Sequence, residues 1–338
     1  MAITIKDVAK KAGVSPSTVS RVINGKGVIS EETKNRINQV MEELHYFPNS
    51  LARNFANGST YSIGLVIDAR DENTFSNAFF NRSVFAIETV AQNNGYNLLI
   101  VNDREGTDAT SSIEKLVFEK KVDGLILPPS MIKKKLIHKF LELDFPFVVL
   151  GEPKFFKMES SWVDVNNKQG SEIAVKHLVE RGYKHIAYFY DKNDNIFEQK
   201  RLEGYKSGLE KAGYKINEKY IIEYIGDKNK YYEEAINILK TSNPPDAFLC
   251  SNNIIAFYVL KAIKDRKLSV PNQIGIITFD NYPIAEYMDP PLSVVDIDTY
   301  ALGEQVTTIL LQKIEKSNSM NQQTLISTNL ILRESTNN

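Results

Sequence analysis

An all-α helix-turn-helix headpiece followed by an α/β bilobed core of two parallel-sheet lobes is the fold this sequence predicts, from three observations. Residues 4–24 hold two short amphipathic helix patterns joined by a glycine. From Tyr61 onward, continuous apolar runs of strand length alternate with amphipathic stretches of helical length. The order helix, Gly-Tyr, strand also recurs, at Gly95–Tyr96, Gly182–Tyr183 and Gly213–Tyr214. Apolar strands separated by helices argue for parallel sheets covered on both faces.

In chain order, Thr4 stands three residues before Asp7, a capping-box-like start, and Gly13 supplies the left-handed stop. Val8, Ala9 and Ala12 share one face of this first helix. Ser15 caps a second helix with Pro16 at its first position, where the missing N–H costs nothing. Val19, Val22 and Ile23 form its buried stripe, and Ser17, Ser20, Arg21 and Asn24 line the opposite side at helical spacing. A face that is short, polar and hydrogen-bonding, with one long cation, suits the DNA major groove. Arg21 reaches O6 and N7 of a guanine, Ser17 and Ser20 a base edge or phosphate, and Pro16 an apolar contact; Thr4, Ser15 and Thr18 complete the expected DNA-binding set. Ser30 caps a third helix, with Ile37, Val40, Met41 and Leu44 as its stripe, and Pro48 breaks the chain. The following segment, residues 49–56, is too short to be a stable helix alone and should order only on a partner or DNA.

The core strands are expected at 62–67, 97–101, 122–127, 147–151, 185–190, 247–250 and 274–279, in two sheets divided near residue 160. A cleft between two such lobes takes its ligand beyond the carboxyl ends of the strands.

Composition bounds the function. The chain has 338 residues, 42% hydrophobic and 25% charged, and a net charge of −1. Residues 1–60 carry +3 and the remainder −4, a mildly basic head on an acidic body. No apolar run reaches the ~20 residues of a membrane span, the first residues lack a signal-peptide core, and a single cysteine excludes an internal disulfide; the expectation is a cytoplasmic protein. An enzyme is not expected. There is no phosphate-binding glycine loop and no G-x-S-x-G, the four histidines lack metal-ligand spacing, and Cys250 sits in an apolar strand. Neither a cofactor nor a metal is implied.

The runs VSPSTVSRVING, YFPNSLARNFA and SIGLVID, in that order, resemble the LacI/GalR family of bacterial transcription regulators, and the resemblance runs the whole length of the chain. It implies a headpiece over 1–47, a hinge helix and linker over 48–60, and an effector-binding, dimerising core over 61–338 of periplasmic-binding-protein-like fold, with three crossings between lobes. It places Phe55 at the hinge wedge, where the family usually has leucine, with Asn49 and Arg53 as phosphate or groove contacts. In the core it assigns Asn77 and Phe79 after the first strand, Arg201 in the run QKRLEGY, and Asn252 and Asp280 after two later strands. A guanidinium, an amide and a carboxylate converging on one cleft suit vicinal hydroxyls. Asn166–Asn167 and Asn253 depart from the family's more acidic usage, which lowers the negative charge expected near the cleft.

The runs KKVDGLIL, DFPFVVLGEP, KRLEGYKSGL and VVDIDTYALGEQV look most like the maltose-operon repressors of Gram-positive bacteria. The expected partners are operator DNA, a second copy of the chain, a sugar such as maltose or another α-glucoside acting as inducer, and, as in some relatives, a phosphoprotein coregulator. A corepressor-dependent or carbon-catabolite regulator is the alternative. A sugar-binding transport protein is the distant one, since it would need export and no DNA-reading head.

Overall fold

A computed structural model describes residues 3–23, 27–46, 58–67, 78–102, 111–191, 195–224, 229–316 and 319–337, in two units, 1–60 and 61–338. In the smaller unit, local sequence signals set each helix end. Helix α1 (Ile5–Ala12) begins where the Asp7 carboxylate accepts from the Thr4 N–H at 2.8 Å and from its hydroxyl at 2.6 Å. It ends at Gly13, with φ +67. Helix α2 (Pro16–Ile23) is capped by Ser15, whose Oγ accepts from the Thr18 N–H at 3.1 Å. Helix α3 (Glu31–Glu43) is capped by Ser30 and tied to α1 by a Lys11–Glu43 ion pair at 2.8 Å. Val8, Ala9, Ala12, Val19, Ile37 and Val40 close a small shared core.

Among the described residues the larger unit holds twelve strands: β1 (Ser62–Ile67), β2 (Asn97–Asn102), β3 (Gly124–Leu127), β4 (Phe147–Leu150), β5 (Ser161–Val165), β6 (Ile186–Asp191), β7 (Ile221–Tyr224), β8 (Ala247–Cys250), β9 (Gly275–Phe279), β10 (Ser293–Asp296), β11 (Gln323–Ile326) and β12 (Asn329–Ile331). They form two six-stranded sheets, ordered β11-β5-β4-β3-β1-β2 and β12-β10-β9-β8-β6-β7. All pairs are parallel except β10 with β12. The central strands are buried along their length, as expected when helices cover both faces. The seven expected strands are present within a residue or two, and five more, β5, β7, β10, β11 and β12, extend the sheets outward.

The chain crosses between sheets three times. After β5 it passes at Asn166 into the helix Asn167–Glu180, which packs on β8, β10 and β12. It returns after β10 into the helix Thr299–Glu315, which packs on β3, β4 and β5. The last crossing, at residues 327–328, runs from β11 to β12. Gln169 fastens the first crossing to the third, since its Oε1 accepts from the Thr328 N–H and hydroxyl, both at 2.9 Å.

Two glycines bring the helix Ile196–Lys211 hard against Asn167–Glu180. A Cβ on Gly204 would lie 2.1 Å from the Lys168 carbonyl oxygen, and one on Gly208 2.8 Å from Val175 Cβ. The three Gly-Tyr stops, Gly95, Gly182 and Gly213, all have φ between +78 and +95. Among the described residues no helix is long and apolar enough to cross a membrane.

Candidate nucleic-acid interface and effector cavity

On the headpiece, Thr4, Ser15, Pro16, Ser17 and Arg21 are exposed, while Thr18 and Ser20 are half-buried. The Ser15 hydroxyl lies 2.7 Å from Ser17 Oγ and 2.8 Å from Thr18 Oγ1, so the start of α2 presents a joined hydroxyl cluster beside the backbone N–H groups of its first turn. Arg21 follows one turn further along the same exposed side. This surface offers donors and acceptors to a groove and keeps the apolar stripe for the core. Asn24, Asn49, Arg53 and Phe55 lie outside the described residues.

In the larger unit a cavity of about 860 Å³ opens between the two sheets. Its walls come from segments that follow strands of both: Pro129 to Ile132 after β3, Gly151 to Phe155 after β4, Asn195 to Arg201 after β6, Ser251 and Asn252 after β8, and Asp280 and Tyr282 after β9. The carboxyl ends of parallel strands thus converge on one space.

Arg201 sits at its floor, with its side chain only 7% exposed. Nε donates to Asn167 Oδ1 at 2.9 Å and an Nη donates to the Ser251 carbonyl at 2.5 Å. The other Nη lies 3.6 Å from Asp280 Oδ1. The guanidinium is 4.0 Å from the Phe279 ring centre and 5.2 Å from that of Phe197, so it is held by stacking as well as by charge. Gly204 lies one turn further along, and the close helix contact there delivers Arg201 to Asn167.

Asp280 has φ +73, and its carboxyl is raised above the usual range by burial, partly offset by Arg201. Asn252 caps the helix Asn253–Asp265, its Oδ1 accepting from the Ile254 and Ile255 N–H groups, while its Nδ2 donates to Asp191 Oδ2 at 2.9 Å. Asp191 also accepts from the Tyr231 hydroxyl at 2.7 Å.

Arg201, Asn252 and Asp280 are therefore brought together on one cavity. Asn77 lies outside the described residues; Phe79 belongs to the helix Ala78–Asn93, but its side chain lies outside them too. The two asparagine departures prove to have structural work. Asn166 caps the helix Asn167–Glu180, its Oδ1 accepting from the Gln169 N–H at 3.1 Å, and its neighbour Asn167 is the built-in acceptor for Arg201. Asn253 donates through Nδ2 to the carbonyls of Phe279 and Asp280, at 3.0 and 2.8 Å, and does not line the cavity. Glu152, Asp164, Asp191 and Glu198 line the wall as well, so the cavity is acidic at other positions. Asp191 and Ser251 were recoverable from sequence by their places at strand ends, and Glu198 by its position three residues before Arg201. Burial pushes the Glu198 carboxyl up to about 7. Cys250 is fully buried, and burial raises its thiol, so it is no nucleophile.

A family model for bacterial regulatory proteins of the lacI family matches residues 4–49, and one for the periplasmic binding protein-like domain matches residues 175–336. The chain is 30% identical over 317 residues to the HTH-type transcriptional repressor PurR of Vibrio atlanticus (strain LGP32), covering 92% of each. It belongs to the lacI family. To PurR of Actinobacillus pleuropneumoniae serotype 3 (strain JL03) it is 29% identical over 337 residues, covering 99% of this chain and 98% of the relative. Among solved structures, a CelR transcriptional regulator–cellobiose complex matches with a TM-score of 0.70 and 25% identity, covering 99% of this chain and 100% of that one. The lac repressor dimer bound to operator and an anti-inducer shares the fold, with a TM-score of 0.80 at 23% identity, over 99% of each chain. This lacI-family member is a DNA-binding transcriptional repressor, and its relatives are regulators and not enzymes.

Proposed function

We propose that the protein is a dimeric repressor of sugar-utilisation genes, released from its operator by a neutral sugar such as maltose or another α-glucoside. The observation that carries this reading is the convergence of Arg201, Asp280 and Asn252 on a cavity walled by both lobes, with room for a disaccharide. These polar side chains surround space where single hydroxyls of a sugar meet a guanidinium edge, an amide and a carboxylate, and Phe197 and Tyr282 offer ring faces to the apolar side of a sugar. Likeness to a cellobiose-bound regulator supports the same ligand class.

Two exposed apolar faces support the dimer. Phe85, Leu99, Ile100 and Phe118 lie on the helix Ala78–Asn93, the edge strand β2 and the helix Ser112–Phe118. Ile254, Phe257, Ile284 and Tyr287 lie on two helices of the other lobe. An apolar edge strand left open invites further pairing, and a second copy of the chain covers it. Each α2 then reads one half-site of a near-palindromic operator, with Ser17, Ser20, Arg21 and Asn24 towards the bases. Asn49, Arg53 and Phe55 form the hinge contacts, Phe55 acting as a minor-groove wedge. Sugar binding favours one arrangement of the lobes and so lowers operator affinity, a coupling between two sites.

The experiment is binding of the purified protein to the promoter next to its own gene, with and without maltose. Specific binding lost with maltose supports the reading. Binding that ignores every sugar but strengthens with a small molecule of another class favours the second reading, a corepressor-driven regulator of the same family; the likeness to repressors other than sugar-bound ones leaves room for it.

A further inference from the structure

Glu198 lies in the cavity wall, one helical turn before Arg201, and is only 3% exposed. Its Oε1 accepts from the Ser251 hydroxyl at 3.1 Å, whereas its Oε2 is buried with no hydrogen-bond partner. The Tyr188 hydroxyl, on β6, is likewise buried without one. Folded proteins rarely leave such atoms unmatched, because desolvation without a new hydrogen bond is unfavourable. Of the two, Glu198 lines the cavity, where a ligand restores what folding removed.

The surrounding charge says which ligand. Glu152, Asp164, Asp191, Glu198 and Asp280 line the space, against two cations, Lys154 and Arg201. Two nitrogens of Arg201 already donate to Asn167 and Ser251, and a third faces Asp280. That leaves no open guanidinium fork for an anion to grip. Burial first, then Asp191 and Asp280, disfavour negative charge at Glu198, against which Arg201 and the Ser251 hydroxyl act. A hydroxyl both donates and accepts, so it satisfies a carboxyl oxygen in either protonation state.

We propose that Glu198 is a specificity-determining residue of the effector cavity: its unmatched oxygen hydrogen-bonds a hydroxyl of an uncharged polyol, and with Asp191 and Asp280 it turns away ligands bearing phosphate or carboxylate. The assignment rests on the reading of this cavity as a sugar site.

The test is titration calorimetry of the full-length protein with maltose, cellobiose and sucrose, with maltose 6′-phosphate and glucosamine as charged probes. The parent protein binds a neutral disaccharide at least about tenfold more tightly than the phosphorylated one. Glu198→Gln, which keeps shape and the Ser251 contact, weakens neutral binding by about tenfold and narrows the gap to the phosphorylated sugar. Glu198→Leu loses the polar contact altogether and falls further. Operator binding by both variants reports that they fold. Parent-like sugar affinity and an unchanged gap in Glu198→Gln overturn the role of Glu198 and leave the sugar reading standing. A parent that prefers the phosphorylated sugar or glucosamine overturns the assignment as well. A parent that binds none of these sugars removes the sugar reading and this inference together.

Discussion

Nε of Arg201 donates to Oδ1 of Asn167 at 2.9 Å, which joins the cavity's guanidinium to the first residue of the helix that begins where the chain first changes sheets. Asn167 is 4% exposed and its Nδ2 donates to the Val165 carbonyl at 3.1 Å, so one amide serves the crossing and the cavity at once. Neither side chain can be altered without effect on the other.

Removing the guanidinium tests that coupling. Arg201→Ala leaves Asn167 Oδ1 and the buried Asp280 without their cationic partner. The expected cost is about 2–3 kcal/mol in denaturant unfolding, together with loss of effector binding by calorimetry. Arg201→Lys recovers part of the stability and little of the binding, since an ammonium cannot span Asn167, Ser251 and Asp280 together. An unchanged sugar response in Arg201→Ala, with operator binding intact, would remove Arg201 from the effector site.

The Glu198 carboxyl carries a pH signature. Its folded pKa, about 7, lies above its ordinary 4.5, so the folded chain holds a proton that the unfolded chain releases between those values. Stability therefore falls as pH rises from about 4.5 to about 7, by on the order of 3 kcal/mol from this group, and is flat in it above that. Asp280 and Asp164, also raised by burial, act with the same sign in both proteins. The difference between parent and Glu198→Gln in urea unfolding from pH 5 to 8 isolates Glu198: the variant gains on the parent as pH rises. Parallel curves would contradict this.

Gly204 and Gly213 separate two reasons for glycine. Gly204→Ala drives a Cβ into the Lys168 carbonyl and forces the two helices apart, at a cost of about 2–3 kcal/mol and with weaker effector binding, because Arg201 moves with the helix. Gly213→Ala meets nothing within 4 Å and suffers only the left-handed backbone, about 1 kcal/mol, with binding unchanged. Thermal unfolding paired with calorimetry distinguishes them.

Asn253→Asp replaces a donor to two carbonyls with a carboxylate facing them. Stability drops by about 2 kcal/mol at neutral pH and recovers in acid, where the protonated group donates again. A more acidic residue at this position is thus unfavourable in this chain, and urea titrations at pH 5 and 7.5 check it.

On the headpiece, Arg21→Ala weakens specific operator binding by about tenfold or more and relaxes the base preference at one position, as read by fluorescence anisotropy over operator variants. Equal loss across all sequences would mark Arg21 as a phosphate contact.

The headpiece and the order of the core elements were determined by the sequence itself. Helix caps at Thr4, Ser15 and Ser30, stripes at 3 and 4 spacing, and glycine stops act within a few residues, so local pattern carries them. The strands at the centre of each sheet are unbroken apolar runs for the same reason. The outer strands were not legible: SWVDV, IIEY, SVVD, QTLI and NLI are short, most of them mix polar with apolar residues, and they exist because a neighbour distant in sequence supplies their hydrogen bonds. The cavity divides in the same way. Asp280 and Asn252 follow recognisable strands, and Arg201 sits in a motif with a glycine one turn on. Glu198 lies in the run FEQKR, which locally reads as a solvated helix face. Only the close approach at Gly204 and Gly208, with β6 packed alongside and Ser251 against the carboxyl, turns that face inward and leaves a carboxyl oxygen buried, because burial is a property of what packs around a residue and not of the residue's own neighbours in the chain.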